Sequence, residues 1–229
     1  MKRQENLTPD QVAALIDHAV LKPELTEEKL IEECYTAREH GAATVCVRPY
    51  DVRRAAEVVE GSSTGISAVV GFPHGNSVTG IKVEEAERAM QDGAVELDVV
   101  APVGKIRSGA WEYLEQELEQ LTGIIHPEGG ILKVILENYY LSREQIMRCC
   151  MIGELLEVDY VKTSTGFAPT GARLEDVQLM REACSERVKI KAAGGIRTLK
   201  ELLEFYQAGA DRIGTSSTAG IIREAREKS

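Results

Sequence analysis

Residues 160–195 read YVKTSTGFAPTGARLEDVQLMREACSERVKIKAAGG, and the architecture follows from how this stretch is divided. Two short apolar runs, Tyr160–Ser164 and Val188–Ala193, bracket a segment of helical periodicity. Glycine follows both runs, at Gly166 and at Gly194-Gly195. Strand, helix and strand in this order make a parallel crossover unit.

The same alternation extends in both directions. Further runs are Asp17–Leu21, Ala43–Val47, Gly65–Phe72, Ala94–Val100, Ile131–Glu137 and Asp211–Thr215. Helix starts lie between them: Thr26 before Glu27 and Glu28, Ser142 before Glu144, and Thr198 before Glu201 in the manner of a capping box. Thr8-Pro9, a cap with proline at the first helical position, opens an extra N-terminal helix before the first run. About eight strands with intervening helices fit a single (β/α)8 TIM barrel, usually about 250 residues long, over residues 1–229. A doubly wound open sheet is the competitor. No glycine-rich dinucleotide fingerprint follows the first run, and no linker or composition break interrupts the repeat, which favours the barrel.

Composition removes several function classes. Lys and Arg number 27 against 37 Asp and Glu, a formal net charge of −10, which repels nucleic acid. The polar N-terminal stretch MKRQENLTPD is no secretory signal, and no run reaches the ~18 apolar residues of a membrane span. Cys34, Cys46, Cys149, Cys150 and Cys184 have neither zinc-ligand nor redox spacing and read as free thiols of a reducing cytoplasm. The four histidines, His18, His40, His74 and His126, form no spaced pair, so neither a metal nor another cofactor is expected.

Charged residues on barrel strands need an explanation, because buried charge is costly unless paired. Period-two geometry puts Glu96 and Asp98 on one face of the fourth run, Lys133 and Glu137 on one face of the fifth, and Lys189 and Lys191 in phase on the seventh. Lys162 ends the sixth, ahead of Thr163-Ser164-Thr165-Gly166. If these faces point inward, lysines and carboxylates crowd the barrel mouth, where catalytic groups of such barrels sit. Desolvation and a neighbouring ammonium both favour a neutral amine, which attacks a carbonyl to form an imine that acts as an electron sink. Asp98 is the candidate proton shuttle and Lys191 its second member.

An acidic chain can still hold a small anion locally. Gly194-Gly195 follows the seventh run, and Gly214-Thr215-Ser216-Ser217 closes the eighth and opens a helix. Loops after strands seven and eight, with a helix N-terminus, are the usual phosphate site of these barrels.

These residues resemble the 2-deoxy-D-ribose-5-phosphate aldolase family, a class I aldolase group, along nearly the whole chain. The matching stretches are LIDHAVLKP, TVCVRPYDV, VVGFPHGN, AVELDVV, LKVILE, YVKTSTGF, VKIKAAGGIRT and ADRIGTSS. The resemblance implies reversible, metal-independent cleavage of 2-deoxy-D-ribose 5-phosphate to acetaldehyde and D-glyceraldehyde 3-phosphate. It makes Lys162 the Schiff-base lysine, Lys191 its proton-transfer and pKa-lowering neighbour, and Asp98 the acid/base carboxylate. Gly166, Gly194, Gly195, Gly214, Ser216 and Ser217 fall where the family binds phosphate. It also implies a homo-oligomer, dimer or tetramer. Asp17 matches an acid that steadies the proton relay, with a helix C-terminal or turn residue as the lesser reading, and Cys46 is placed toward the mouth. Lys133 and Glu137 read as an inward ion pair supporting the site, or as a purely structural one. Arg197 is a loop residue two positions beyond Gly195.

The chain departs from the family pattern at three places. Ala19 stands where threonine is common, Pro102 precedes Val103-Gly104 where asparagine is frequent, and the loop Phe167–Gly171 carries an added proline at Pro169. These changes bear on substrate contacts, and Ala19 and Pro102 keep open a Schiff-base lyase for another phosphorylated sugar; a non-catalytic sugar-phosphate-binding barrel is a second alternative.

Overall fold

Seven of the eight apolar runs contain a strand and the first overlaps one that starts a residue earlier, at Ile16; strands adjacent in sequence are adjacent in space. A computed structural model describes residues 6–228; Met1–Glu5, the start of the polar N-terminal stretch, lie outside the described residues. The strands are β1 (Ile16–Val20), β2 (Thr44–Val47), β3 (Gly65–Val70), β4 (Glu96–Val100), β5 (Ile131–Ile135), β6 (Tyr160–Lys162), β7 (Lys189–Ala193) and β8 (Arg212–Thr215). They run parallel in the order β1 to β8, and β8 pairs with β1 through Asp17 opposite Gly214. That closure excludes the doubly wound sheet, whose strand order would reverse at a switch point.

The helices are α1 (Pro9–Ala13), α2 (Glu27–Glu39), α3 (Val52–Val59), α4 (Thr79–Gln91), α5 (Val103–Arg107), α6 (Trp111–Ile125), α7 (Arg143–Leu155), α8 (Leu174–Ala183), α9 (Leu199–Ala208) and α10 (Thr218–Glu227). The expected extra N-terminal helix is α1, which packs against α10. Its cap Thr8 makes a full capping box with Gln11, as Thr198 does with Glu201 on α9. On α7 the box closes between Ser142 and Gln145, while Glu144 accepts from the Ser142 hydroxyl. Thr26 caps α2 by accepting from the Lys29 N–H.

The core lies between barrel and helices. Alternate strand residues such as Ile16, Val45, Ile66, Leu97, Leu132, Val161, Ile190 and Ile213 are buried in it. Burying each such side chain contributes about 1.5–3 kcal/mol. The intervening residues point to the barrel axis, and many of them are charged. Register sets Asp98 beside Lys133, Lys162 beside Lys191, and Lys191 beside Arg212.

Candidate active site

The inward faces of six strands meet in one charge network. Asp98 on β4 accepts from two lysines through the same oxygen: Lys162 Nζ lies 2.5 Å and Lys191 Nζ 2.7 Å from its Oδ2. Its other oxygen accepts from the Ser67 hydroxyl at 2.9 Å and lies 3.0 Å from Lys133 Nζ. Asp17 on β1 sits 2.5 Å from Lys191 and 2.9 Å from Lys133, and it accepts from the Thr44 hydroxyl and the Arg212 guanidinium. Glu96 pairs with Lys133 and Arg212. Asp17, Asp98, Lys133, Lys162 and Lys191 are all buried. Pairing is what makes that burial tolerable.

Charge balance distinguishes the lysines. Asp17, Glu96 and Asp98 face Lys133, Lys162, Lys191 and Arg212, so full protonation leaves one surplus positive charge. For Lys133, burial lowers the pKa, but Asp17, Asp98 and Glu96 more than offset it and hold it well above the ordinary lysine value. Lys191 is likewise pushed up, because Asp17 and Asp98 outweigh its burial. Lys162 alone is pushed down: burial dominates, Asp98 opposes it, and the nearby Lys191 ammonium adds to the lowering. Burial pushes the Asp98 carboxyl up, yet Lys133, Lys162 and Lys191 together hold it well below the usual carboxylate range. The arrangement therefore presents an ionised carboxylate between a charged lysine and one that loses its proton readily.

Lys162 and Lys191 line a cavity of about 420 Å3 at the C-terminal ends of the strands. Asp17, Ala19 and Cys46 share its wall; burial and Asp98 push the Cys46 thiol up. Gly166, Gly194, Gly195, Gly214 and Ser216 line it as well. Gly194 and Gly195 have φ of 91° and 85°, a region that favours glycine. At Gly171 a Cβ would lie 2.1 Å from the Gly194 carbonyl oxygen, so the loops after β6 and β7 touch backbone to backbone. The Ala172 N–H donates to the carbonyls of Ala193 and Gly194 and fastens that contact. A Cβ on Gly214 would meet Ala193 at 2.9 Å and the Lys191 stem at 3.4 Å, so this glycine leaves room for the lysine. The wall suits a small anion beside the helix α10 N-terminus.

Several expectations are corrected. Lys133 and Glu137 form no ion pair. Glu137 lies beyond the end of β5 in a left-handed conformation, φ 54°, so period-two alternation no longer governs it. Its carboxylate instead accepts from the backbone N–H and hydroxyl of Thr165, which anchors the segment after Lys162. Lys189 is exposed at the opposite end of β7, near the Tyr160 ring, and does not contribute to the mouth. Ser217 does not line the cavity; its N–H donates to the Thr215 hydroxyl. Arg197 does line it, together with Lys22 and Lys29 from the segment after β1, neither of which the sequence singled out. Arg212, Ser67 and Thr44 were also missed. The signal for Arg212 was its phase with Gly214 on β8. Among the described residues, no three His, Cys, Asp or Glu side chains are grouped to hold a metal ion.

The DeoC/LacD family aldolase model matches residues 11–222. The deoxyribose-phosphate aldolase of Rhodopirellula baltica is 44% identical over 217 residues, covering 95% of this chain and 90% of that one. The enzyme of the same name from Thermococcus gammatolerans is 42% identical, covering 94% and 96% respectively. The tetrameric deoxyribose phosphate aldolase structure of Aeropyrum pernix superposes with a TM-score of 0.89 at 27% identity, covering 97% of this chain and 94% of that one. A closed barrel with buried lysines at its mouth and this degree of likeness lead to one conclusion: the chain belongs to the DeoC/LacD family of aldolases.

Proposed function

We propose that this chain is a deoxyribose-phosphate aldolase that cleaves 2-deoxy-D-ribose 5-phosphate reversibly through an imine on Lys162. The observation that carries the reading is the contrast within one site: Lys162 and Lys191 share an Asp98 oxygen, yet only Lys162 is shifted toward the free amine.

The neutral Lys162 amine attacks the C1 aldehyde, and loss of water from the carbinolamine gives an iminium. Asp98 and Lys191 position a water that takes the C3 hydroxyl proton. The C2–C3 bond then breaks, its electron pair moving toward the iminium nitrogen to give an enamine, and glyceraldehyde 3-phosphate departs. Protonation at C2 regenerates an iminium, and hydrolysis frees acetaldehyde and Lys162. Lys191, held protonated by two carboxylates, gives its proton to C2, and the C3 hydroxyl proton passes through the water to the ionised Asp98, which takes it up transiently and returns it to Lys191. Iminium formation places a positive charge on the Lys162 nitrogen beside the Asp98 carboxylate, which stabilises it. The phosphate lies against Gly166, Gly194, Gly195, Gly214 and Ser216, with Arg197 and Lys22 at the rim.

The reading takes residues 1–229 as one aldolase domain acting as a homo-oligomer, dimer or tetramer, a state supported by the tetramer of the Aeropyrum pernix relative. Five buried free thiols support a reducing compartment such as the cytoplasm. The test is borohydride reduction in the presence of acetaldehyde, followed by peptide mass analysis. An ethyl adduct confined to Lys162 is expected. An adduct elsewhere, or none, overturns the imine assignment, and parallel assays with other sugar phosphates decide the substrate.

A further inference from the structure

His18 stands where the alternation of β1 calls for an apolar side chain. Its neighbours on the outward face, Ile16 and Val20, are buried in the core, while Asp17 and Ala19 line the catalytic cavity. His18 is buried too, so both of its ring nitrogens need partners. Nε2 lies 2.9 Å from Oε2 of Glu33 on α2, and Nδ1 lies 2.8 Å from Oγ1 of Thr218, the first residue of α10. The other Glu33 oxygen is 3.1 Å from Lys29 Nζ. The bond from His18, with help from Lys29, pulls the Glu33 carboxyl down to about 2 against its burial. An ionised carboxylate only accepts, so Nε2 carries the hydrogen, and in the neutral ring Nδ1 accepts from the Thr218 hydroxyl.

This chain of bonds ends on the element beside which the anion is placed. Gly214, Thr215 and Ser216 line the cavity, and α10 begins two residues after Ser216. The cap residue Ser217 makes no side-chain cap of its own. The helix start is tied from two sides instead. The Thr215 hydroxyl accepts from the Ser217 N–H at 3.0 Å and donates to the Ile196 carbonyl at 2.7 Å, which fastens it to the loop after β7. His18 fastens Thr218 to β1 on the other side. We propose that His18 is a positioning residue for phosphate binding: oriented by Glu33, it holds the Thr218 hydroxyl and with it the first turn of α10 against the cavity. The proposal rests on the phosphate placement given under the proposed function and adds a residue that touches no substrate. If the bond served packing alone, phosphate affinity would follow the volume kept at position 218; if it serves positioning, affinity follows the hydroxyl.

The test is calorimetric titration of the full chain with inorganic phosphate. Thr218→Val keeps the shape and loses the hydroxyl, and is expected to weaken phosphate binding about fivefold. Thr218→Ser loses a methyl and keeps the hydroxyl, and should stay within about twofold of the wild type. His18→Phe should weaken binding at least as much as Thr218→Val, and the double variant no more than His18→Phe, because both changes remove one bond. In steady-state assays of Thr218→Val, KM for the phosphorylated substrate should rise by the same factor with kcat unchanged. Borohydride trapping of acetaldehyde on Lys162, which needs no phosphate, should keep its wild-type rate. Three results overturn the proposal: phosphate affinity unchanged in Thr218→Val, Thr218→Ser as weak as Thr218→Val, or trapping that slows together with phosphate binding. A wild type that binds no inorganic phosphate overturns it as well. A wild type that traps no acetaldehyde, while phosphate affinity follows the order given, overturns the imine reading and upholds the role of His18.

Discussion

Lys162 and Lys191 carry the same ammonium and share the same Asp98 oxygen, yet their proton affinities move in opposite directions. The difference is one carboxylate: Lys191 also touches Asp17 at 2.5 Å, whereas Lys162 has Asp98 alone. Imine formation needs the neutral amine, whose fraction rises with pH through the pKa in the folded protein. The rate of acetaldehyde trapping on Lys162 should therefore climb at a pH below that of an ordinary lysine. Lys191→Met removes a repelling charge, and the climb is expected to shift to higher pH; a shift to lower pH would refute the electrostatic account. Lys162→Arg keeps the positive charge but cannot form the imine, so turnover is expected to vanish with the far-UV circular dichroism unchanged. Appreciable residual cleavage by that variant contradicts the assignment. In the sequence, Asp98, Lys162 and Lys191 were legible because charge on a barrel strand is anomalous. Arg212, Ser67 and Thr44 were not, because a hydroxyl or an arginine near a strand end is common; strand pairing brings Thr44 to Asp17 and Ser67 to Asp98, and closure of the barrel brings Arg212 to Asp17.

At the scale of elements, strands and helix starts were legible from periodicity and capping residues, and the failures fall where an element ends. The fifth run extends to Glu137 in sequence, but β5 stops at Ile135 and the backbone turns left-handed, which carries Glu137 across to Thr165. No periodicity argument survives such a turn. The segment after β6 depends on contact with the next one, since Gly171 and Gly194 meet where no side chain fits. Gly171→Ala forces these loops apart. Its effect is expected chiefly as a raised KM for the phosphorylated substrate, with a smaller loss in kcat, in steady-state assays. Loss of the α9 cap in Thr198→Ala removes a capping box and should cost about 1 kcal/mol by urea unfolding, with kcat unaltered.

At the scale of the molecule, the barrel axis is filled with paired charge where such barrels usually carry branched apolar side chains. Lys133 touches Asp17, Glu96 and Asp98 and is the central cation of that filling. Lys133→Met leaves buried carboxylates short of a partner and should destabilise the fold by about 3–5 kcal/mol, read as a lowered urea midpoint. Acid should act through the same groups. For Asp17 and Asp98, burial is outweighed by the surrounding cations, so both pKa values are depressed in the folded state. Their contribution to stability is therefore present above the unfolded value, about 4, and is lost as pH falls through the depressed folded values. Unfolding midpoints measured across an acid series should fall progressively below pH 4.

Along each strand of this barrel, two messages are written on alternate residues. Odd and even positions of β4 give Leu97 and Val99 to the helices, and Glu96 and Asp98 to the axis. The two messages share one reading frame, because each residue's face is fixed by its neighbour's. Replacing an inward residue leaves the outward apolar pattern in place, so the chemistry can be rewritten within an unchanged shell where paired charges such as Lys133 and its carboxylates are changed together. Deleting a single residue from β4 shifts both messages at once, turning Asp98 toward the helices and Leu97 toward Lys162. Such a barrel tolerates new letters and rejects a lost one.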